Sequence, residues 1–228
     1  MENIDMKIIG HIKTPYKSKF GIPRQSGIAH ENTGIIQFEK EFQVKEMFNG
    51  IEDFSHLWII WLFSENIDKG YSPTVRPPAL GGNARKGLFA TRSPYRPNPI
   101  GMSSVELIEV KYTKDKGPLL IVNGPDMLDG TPIIDIKPYV YMDIHPNAKC
   151  SFSHSGNGEK LKVNIPEELT EGIPEKIIKE LKQVLSLDPR PAYQENPNKI
   201  YGLDYNDYSI KFMVEDELLE VIKIESNI

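Results

Sequence analysis

The chain has 228 residues, of which 39% are hydrophobic and 26% are charged, and its formal net charge is −5. These values are typical of a soluble globular protein with one large or two modest domains. The single cysteine, Cys150, excludes an internal disulfide and a cysteine-rich zinc site. No window approaches the roughly 18 apolar residues of a membrane span, and the acidic N-terminus lacks a signal peptide's apolar run. We therefore expect a cytoplasmic protein that binds neither a membrane nor a metal.

Short apolar runs predict a mainly β organisation for residues 1–142, with one short helix. The predicted strands are residues 7–13, 34–39, 56–63, 100–110, 118–123 and 133–137. The run HLWIIWLF at 56–63 shows no alternation, which predicts a strand buried on both faces. The apolar pattern of residues 42–50 predicts a short helix that ends at Gly50. Closely spaced strands without βαβ alternation or a GxGxxG motif favour an antiparallel sheet that closes into a small β-barrel or a sandwich, and they disfavour a doubly wound nucleotide fold.

The composition shifts towards Asn, Gly, Ser, His and Pro near residue 143, which indicates a linker or excursion over 143–160. A small α+β domain follows at 161–228. Its predicted elements are a strand at 161–165, a helix at 174–187 and a meander of strands at 200–205, 208–214 and 218–224. Pro174 stands where a first helical residue is expected, and Asp188-Pro189 ends the helical pattern.

Two basic segments without acidic residues interrupt this acidic chain, at 16–30 and 73–101. Glycine and proline recur throughout both, which predicts shaped rather than floppy loops. We expect the longer loop to be anchored to a core by its large apolar residues, which are Leu80, Leu88, Phe89 and Tyr95. Arginine forks suit carboxylates and phosphates, and aromatic rings stack on bases. The two loops therefore predict a site for a nucleotide-like anion together with RNA, while a plain solvated surface loop is the alternative for the longer one.

Few residues have the pattern of a catalytic group. Ser55 and His56 are neighbours, but neighbours on a strand point to opposite faces, so we interpret His56 as a partly buried structural histidine. Asp129-Gly130 has the composition of a turn. Asp135 lies in an apolar neighbourhood, where it is either a structural acceptor or an acid-base group.

Several strings resemble the TsaA/YaeB family, also described as TrmO. They are IGHIKTPYK, FGIPRQSG, FSHLWIIWLF, RPPALGGNARKGLFATRSPYRPNPIGMSSVEL, DMLDGTPIIDIKPY and DPRPAYQ. The resemblance covers residues 6–139 and resumes at 188. It implies a β-barrel that binds S-adenosylmethionine, and methyl transfer to N6 of threonylcarbamoyl-adenosine beside the anticodon of threonine tRNAs. It also implies a homodimer whose C-terminal unit helps to hold tRNA.

The resemblance also assigns site residues. Those expected at the methyl donor are Pro23, Arg24, Gln25, Ser64, Glu65, Arg92, Leu128, Asp129, Gly130 and Thr131. At the tRNA, the resemblance assigns Arg190 of the DPRPAY motif. The charge, amide and ring chemistry of the residues adds further ones expected at the substrate or tRNA, which are Tyr16, Arg85, Arg96, Asn98, Lys137 and Tyr193. Asp129 and Asp135 are the candidate proton acceptors, and Ser64 departs from the histidine found in several family members.

Two other function classes stay open at the level of the residues. The first is a non-catalytic module that binds S-adenosylmethionine or RNA, although such a sensor would have no use for the DPRPAY motif. The second is a hydrolase built on His56 and a nearby serine. The resemblance favours the methyltransferase over both.

Overall fold

The computed structural model describes residues 4–80, 84–152, 160–190 and 199–227. They form two compact units, and each is described by itself. The first holds the described residues of Met1–Thr14, Gln25–Ser72 and Pro94–Pro146, and the second those of Pro15–Arg24, Pro73–Ser93 and Asn147–Ile228. Pro15–Arg24 and Pro73–Ser93 lie within the predicted barrel domain, yet they group with the C-terminal residues. The domain boundaries at residues 142 and 161 stay a prediction. No helix in the described ranges is long and apolar enough to cross a membrane.

Strands dominate both units. In chain order they are β1 (Gly10–Lys13), β2 (Thr33–Phe38), β3 (His56–Leu62), β4 (Thr74–Val75), β5 (Lys86–Gly87), β6 (Ile100–Thr113), β7 (Gly117–Asn123), β8 (Thr131–Pro138), β9 (Lys162–Asn164), β10 (Tyr201–Tyr205), β11 (Tyr208–Glu215) and β12 (Leu218–Ser226). One α-helix, α1 (Glu175–Ser186), lies among the described residues of the second unit.

The first unit is a closed barrel with the strand order β1-β2-β7-β6-β3-β8. Every neighbouring pair is antiparallel. Closure pairs both edges of every strand, so the barrel exposes no free sheet edge. The interior is apolar and includes Ile12, Ile36, Leu57 and Ile133, all fully buried. The predicted antiparallel β-barrel is therefore confirmed.

Strand β3 corrects the prediction of burial on both faces. Leu57, Ile59 and Trp61 are buried, whereas the alternate residues Trp58 and Ile60 are partly exposed. A barrel strand has one face in the interior and one outside, so an unbroken apolar run does not require two buried faces. The outward Trp58 donates its indole N–H to Asp143 Oδ2 at 2.8 Å. This hydrogen bond lowers the pKa of the Asp143 carboxyl from its ordinary value.

The predicted helix at 42–50 is wrong as a continuous element. The chain forms two short 3₁₀ turns instead, Lys40–Phe42 and Lys45–Phe48, because Val44 between them is extended. Gly50 adopts a left-handed φ of 83° at the start of a third turn, rather than closing a helix.

In the second unit a four-stranded sheet has the order β10-β11-β12-β9, and α1 contributes Leu181, Val184 and Leu185 to its core. The predicted helix and meander are confirmed. Pro174 differs from the prediction, since it is the extended N-cap residue and the helix begins at Glu175. Because proline fixes φ near −65°, it is compatible with both the N-cap position and the first helical position.

Glu180 of α1 is a charged residue that this core encloses. Its Oε2 atom accepts a hydrogen bond from the Tyr205 hydroxyl at 3.1 Å, and its Oε1 atom lies 3.6 Å from Lys176 Nζ. Burial raises the pKa of the Tyr205 hydroxyl far above its ordinary value, with Glu180 adding to the shift. Tyr205 therefore stays a neutral donor to a buried carboxyl group.

Inside the barrel, Gly101 lies opposite Trp61. A Cβ atom at Gly101 would lie 2.3 Å from Trp61 Cε2, which no real side chain tolerates. The absence of a side chain at this position therefore makes room for the indole ring.

We predict that Gly101→Ala lowers the free energy of unfolding by about 1–3 kcal/mol, because the new methyl group must displace a buried indole. Chemical denaturation followed by circular dichroism measures this loss. Gly202→Ala is the matched control, since Gly202 is also a strand residue and its Cβ would meet nothing within 4 Å. Equal losses in the two variants would contradict the packing explanation.

We also predict that Tyr205→Phe costs about 1–3 kcal/mol, because a buried carboxylate loses its hydrogen-bond donor. Tyr208→Phe serves as the control, since Tyr208 is only partly buried and its hydroxyl has no hydrogen bond within the described ranges. A Tyr205→Phe variant as stable as this control would show that Glu180 does not depend on Tyr205.

Candidate functional site

The turn between β7 and β8 carries part of the set expected at the methyl donor, from Leu128 to Thr131. Gly130 has a φ of 77°, which only glycine adopts without strain. Thr131 donates to the Leu128 carbonyl from both its backbone N–H, at 3.1 Å, and its hydroxyl, at 2.7 Å. The turn at 128–131 is therefore closed on itself and holds one backbone conformation.

The end of β1 fixes this turn from the neighbouring strand. The Gly130 N–H donates to the Ile12 carbonyl at 2.8 Å. Thr14 donates from its backbone N–H to Asp129 Oδ1 and from its hydroxyl to the Met127 carbonyl, both at 2.9 Å. Asp129 therefore holds the turn in place through its carboxylate, whatever further role it has.

A buried polar chain supports the same region from the barrel interior. Trp61 Nε1 donates to Ser103 Oγ at 3.0 Å, and the Ser103 hydroxyl donates to Asp126 Oδ1. Ser103 is fully buried. Sequence reasoning missed Ser103 and Asp126 as a pair. The available signal was that Ser103 shares the inward strand face of Val105, where a polar residue needs a buried partner.

Asp135, the other candidate proton acceptor, is 47% exposed at its side chain. Its Oδ1 atom accepts from the Ile136 N–H at 2.9 Å, and its Oδ2 atom lies 2.7 Å from Lys137 Nζ. The expected apolar surroundings are therefore wrong, because a bulge between β3 and β8 turns this part of β8 outward. Lys137, expected at the substrate, is paired with Asp135.

Ser64 and Glu65 follow β3 and are exposed at the start of a 3₁₀ segment, Ser64–Lys69. The Phe63 N–H bonds to the Pro99 carbonyl at 2.8 Å, which ties the end of β3 to the entry of β6. Gln25 is partly buried in this unit.

Arg96 and Asn98 lie just before β6, in the first unit. The Arg96 N–H donates to the Pro94 carbonyl at 3.0 Å, and the Ile100 N–H to the Asn98 carbonyl at 2.8 Å. Arg96 is partly exposed and Asn98 exposed. These tight turns confirm that the end of the longer basic loop is shaped.

In the second unit, Pro23 is buried and Arg24 is exposed. The Arg24 guanidinium makes no hydrogen bond or ion pair with any part of the chain that the structure describes. Arg92 is also exposed, and Arg85 donates to Thr74 Oγ1 at 3.1 Å.

Leu88 anchors the longer basic loop. It is buried, and its N–H donates to the Pro73 carbonyl at 3.0 Å. The prediction that Phe89 and Tyr95 anchor the loop is wrong, since Phe89 is 83% and Tyr95 44% exposed. Leu88 and Phe89 share a 3₁₀ turn, Leu88–Ala90, which directs only Leu88 inward.

The prediction that Tyr16 contacts the substrate is wrong, because Tyr16 lies in the core of the second unit. It is 1% exposed, and its ring meets Tyr205 edge to face at 6.1 Å between centroids. A ring buried in this way cannot stack on a base.

Arg190 is mostly buried, and its guanidinium forks onto Asp188 through Nε at 2.8 Å and a terminal nitrogen at 2.9 Å. A phosphate would have to compete with this pair. Tyr193, the other expected tRNA contact of this motif, lies outside the described residues.

The Ser55 and His56 pair differs from the prediction. Both side chains are exposed, and Ser55 Oγ lies 3.0 Å from His56 Nδ1. Ser55 precedes the first residue of β3, so strand alternation does not apply to it. The chain thus has a serine-histidine pair on its surface.

Comparison with known proteins identifies the family. Residues 11–144 match the model of the tRNA-methyltransferase O N-terminal domain, and residues 159–227 match the TrmO C-terminal domain. The chain is 40% identical over 234 residues to a tRNA (adenine(37)-N6)-methyltransferase of Escherichia coli, with 99% of both chains covered. It is 36% identical over 208 residues to a putative S-adenosylmethionine-dependent methyltransferase, RcsF, of Pseudomonas aeruginosa, with 86% of each covered.

Solved structures agree with the sequence matches. The crystal structure of TrmO from Pseudomonas aeruginosa superposes with a TM-score of 0.80 at 28% identity, covering 99% of both chains. The barrel, the C-terminal unit and the matched sequence thus point to one assignment. This chain belongs to the TrmO family of tRNA methyltransferases.

Proposed function

We propose that this protein transfers a methyl group from S-adenosylmethionine to N6 of the threonylcarbamoyl-adenosine next to the anticodon of threonine tRNAs. The observation that carries the proposal is the full-length match to the Escherichia coli relative, which is named for methylation of adenine 37 at N6. The P. aeruginosa relative, named as S-adenosylmethionine-dependent, supports the choice of donor. The barrel unit contains the turn at 128–131 and the end of β3, which carry part of the proposed donor set.

The residues of the proposed donor site fit its chemistry. S-adenosylmethionine supplies a methyl group on a sulfonium, together with a carboxylate, a ribose and an adenine. The Arg24 side chain is exposed, and its guanidinium can donate two parallel hydrogen bonds to a carboxylate. The Glu65 carboxylate can accept hydrogen bonds from ribose hydroxyls. The full proposed set is Pro23, Arg24, Gln25, Ser64, Glu65, Arg92, Leu128, Asp129, Gly130 and Thr131.

The turn at 128–131 contributes a preorganised backbone. Its hydrogen bonds to Ile12 and Thr14 hold it before any ligand arrives. Backbone groups fixed in this way bind without a further cost of ordering. Methyl transfer needs the nucleophile, the methyl carbon and the sulfur in line, and positioning of this kind lowers barriers by up to about 7–11 kcal/mol.

The reaction also requires a proton acceptor. The N6 lone pair forms the new N–C bond while the S–C bond breaks, and the N6 proton leaves. Asp129 and Asp135 are the candidate acceptors, and both carboxylates already accept hydrogen bonds from backbone N–H groups. Asp135 is partly exposed, and an incoming nucleotide can therefore reach it. A positioned acceptor contributes about 10²–10⁴ in rate.

The substrate carries an extra anion, because the threonylcarbamoyl group ends in a carboxylate. We propose that one of three cations reads it, Arg96, Lys137 or Arg190. The remaining proposed tRNA contacts are Arg85, Asn98 and Tyr193. We further propose that the enzyme acts in the cytoplasm as a homodimer.

We predict that the purified protein transfers labelled methyl from S-adenosylmethionine to tRNA that carries threonylcarbamoyl-adenosine, because the extra carboxylate supplies a charged contact. Mass spectrometry of the digested nucleosides measures the product. Threonine tRNA without the modification is the control and should gain no methyl group at N6. Equal methylation of both tRNAs would contradict the proposed requirement for the threonylcarbamoyl group. Binding of S-adenosylmethionine without methylation of either tRNA would favour a non-catalytic binding module.

We predict that Arg24→Ala weakens binding of S-adenosylhomocysteine about 10- to 100-fold, the scale of a lost hydrogen bond to a charged group. Isothermal titration calorimetry gives the dissociation constant. Arg76→Ala is the control, because Arg76 is another exposed arginine of the same unit outside the proposed set. If Arg24→Ala binds as well as Arg76→Ala does, Arg24 does not contact the donor.

A further inference from the structure

The segment 15–24, which ends at Arg24, is packed on the C-terminal sheet. The Asn206 N–H donates to the Pro15 carbonyl at 2.8 Å, and Tyr16 forms an antiparallel bridge with Tyr205 at the end of β10. The first two residues of the segment therefore extend the sheet beyond its edge strand. The anchoring partners, Tyr205 and Asn206, lie far from this segment in the sequence.

Further along the segment, Phe20 completes an aromatic stack. Its ring is nearly parallel to that of Tyr201 at 6.5 Å and to that of Phe212 at 6.3 Å. Tyr201 and Phe212 stack on each other at 5.6 Å. Offset stacks of this kind stabilise the packing beyond the contribution of the area they bury.

The next residue, Gly21, brings the backbone itself onto the sheet. Its φ is 87°, and a Cβ atom there would lie 2.3 Å from Leu203 Cδ1. The left-handed φ favours glycine, and a Cβ atom would have to displace the Leu203 methyl group. Gly21 is buried and is followed within two residues by the buried Pro23, whose φ is fixed by its ring. The backbone that leads to Arg24 thus has little freedom to move relative to Leu203.

We propose that the C-terminal sheet is a positioning element for the methyl donor, with Leu203 and Phe212 as positioning residues that act through Arg24. The proposal rests on the proposed function, in which Arg24 meets the donor carboxylate. A guanidinium fork gains more net affinity from its two hydrogen bonds when its backbone is already held, since a mobile one loses more entropy on binding. The C-terminal unit therefore contributes to donor affinity as well as to tRNA binding.

The test measures the dissociation constant of S-adenosylhomocysteine by calorimetry for full-length variants. Leu203→Ala removes the surface beneath Gly21, and we expect binding about tenfold weaker, because the fork loses part of a charged contact. Leu219→Ala is the matched control, because Leu219 is equally buried in the same sheet but pairs with Val163 and Val214. Similar melting temperatures for the two variants would separate positioning from general destabilisation.

A double variant shows whether Leu203 acts through Arg24. In the Arg24→Ala background, Leu203→Ala should have no further effect on the dissociation constant. Additive losses, or a Leu203→Ala variant that binds as Leu219→Ala does, would overturn the proposal. Gly21→Ala changes only the segment and should weaken binding likewise, which keeps the test valid if Leu203→Ala fails to fold. Failure of the wild type to bind would instead reject the proposed function.

Discussion

The hydrogen bonds between the end of β1 and the turn at 127–130 are the constraint on which the proposed site depends. β1 is only four residues long, yet it pairs with both β2 and β8 and so closes the barrel. Ile12 of β1 accepts a hydrogen bond from Gly130, and Thr14, just after β1, donates to Asp129 and Met127. The same short segment therefore closes the barrel and fixes the conformation of the turn.

This rigidity suits methyl transfer, which depends on alignment more than on a strong base. The buried chain from Trp61 through Ser103 to Asp126 supports the start of the turn from the interior. On the other unit, the stack of Phe20 on Tyr201 and Phe212 fixes the approach to Arg24. The core of the second unit thus holds the segment that ends at Arg24.

The sequence predicted the strands well, because apolar residues recur with a clear period and turns separate them. It could not predict pairs such as Ser103 with Asp126, since each residue looks ordinary until the fold brings both together. Tyr16 was misplaced for the same reason, because its basic neighbours suggested RNA whereas its partner Tyr205 lies far downstream. Local sequence patterns also do not predict which way a side chain points. Phe89 is exposed although its neighbour Leu88 is buried.

The most direct test of the proposed site is a crystal structure of the protein with S-adenosylhomocysteine bound. The account predicts that the ligand contacts backbone atoms of the 128–131 turn, with Thr14 still bonded to Asp129 and Met127. A ligand bound away from this turn, or a turn that must rearrange and break the Thr14 hydrogen bonds to admit it, would contradict the account.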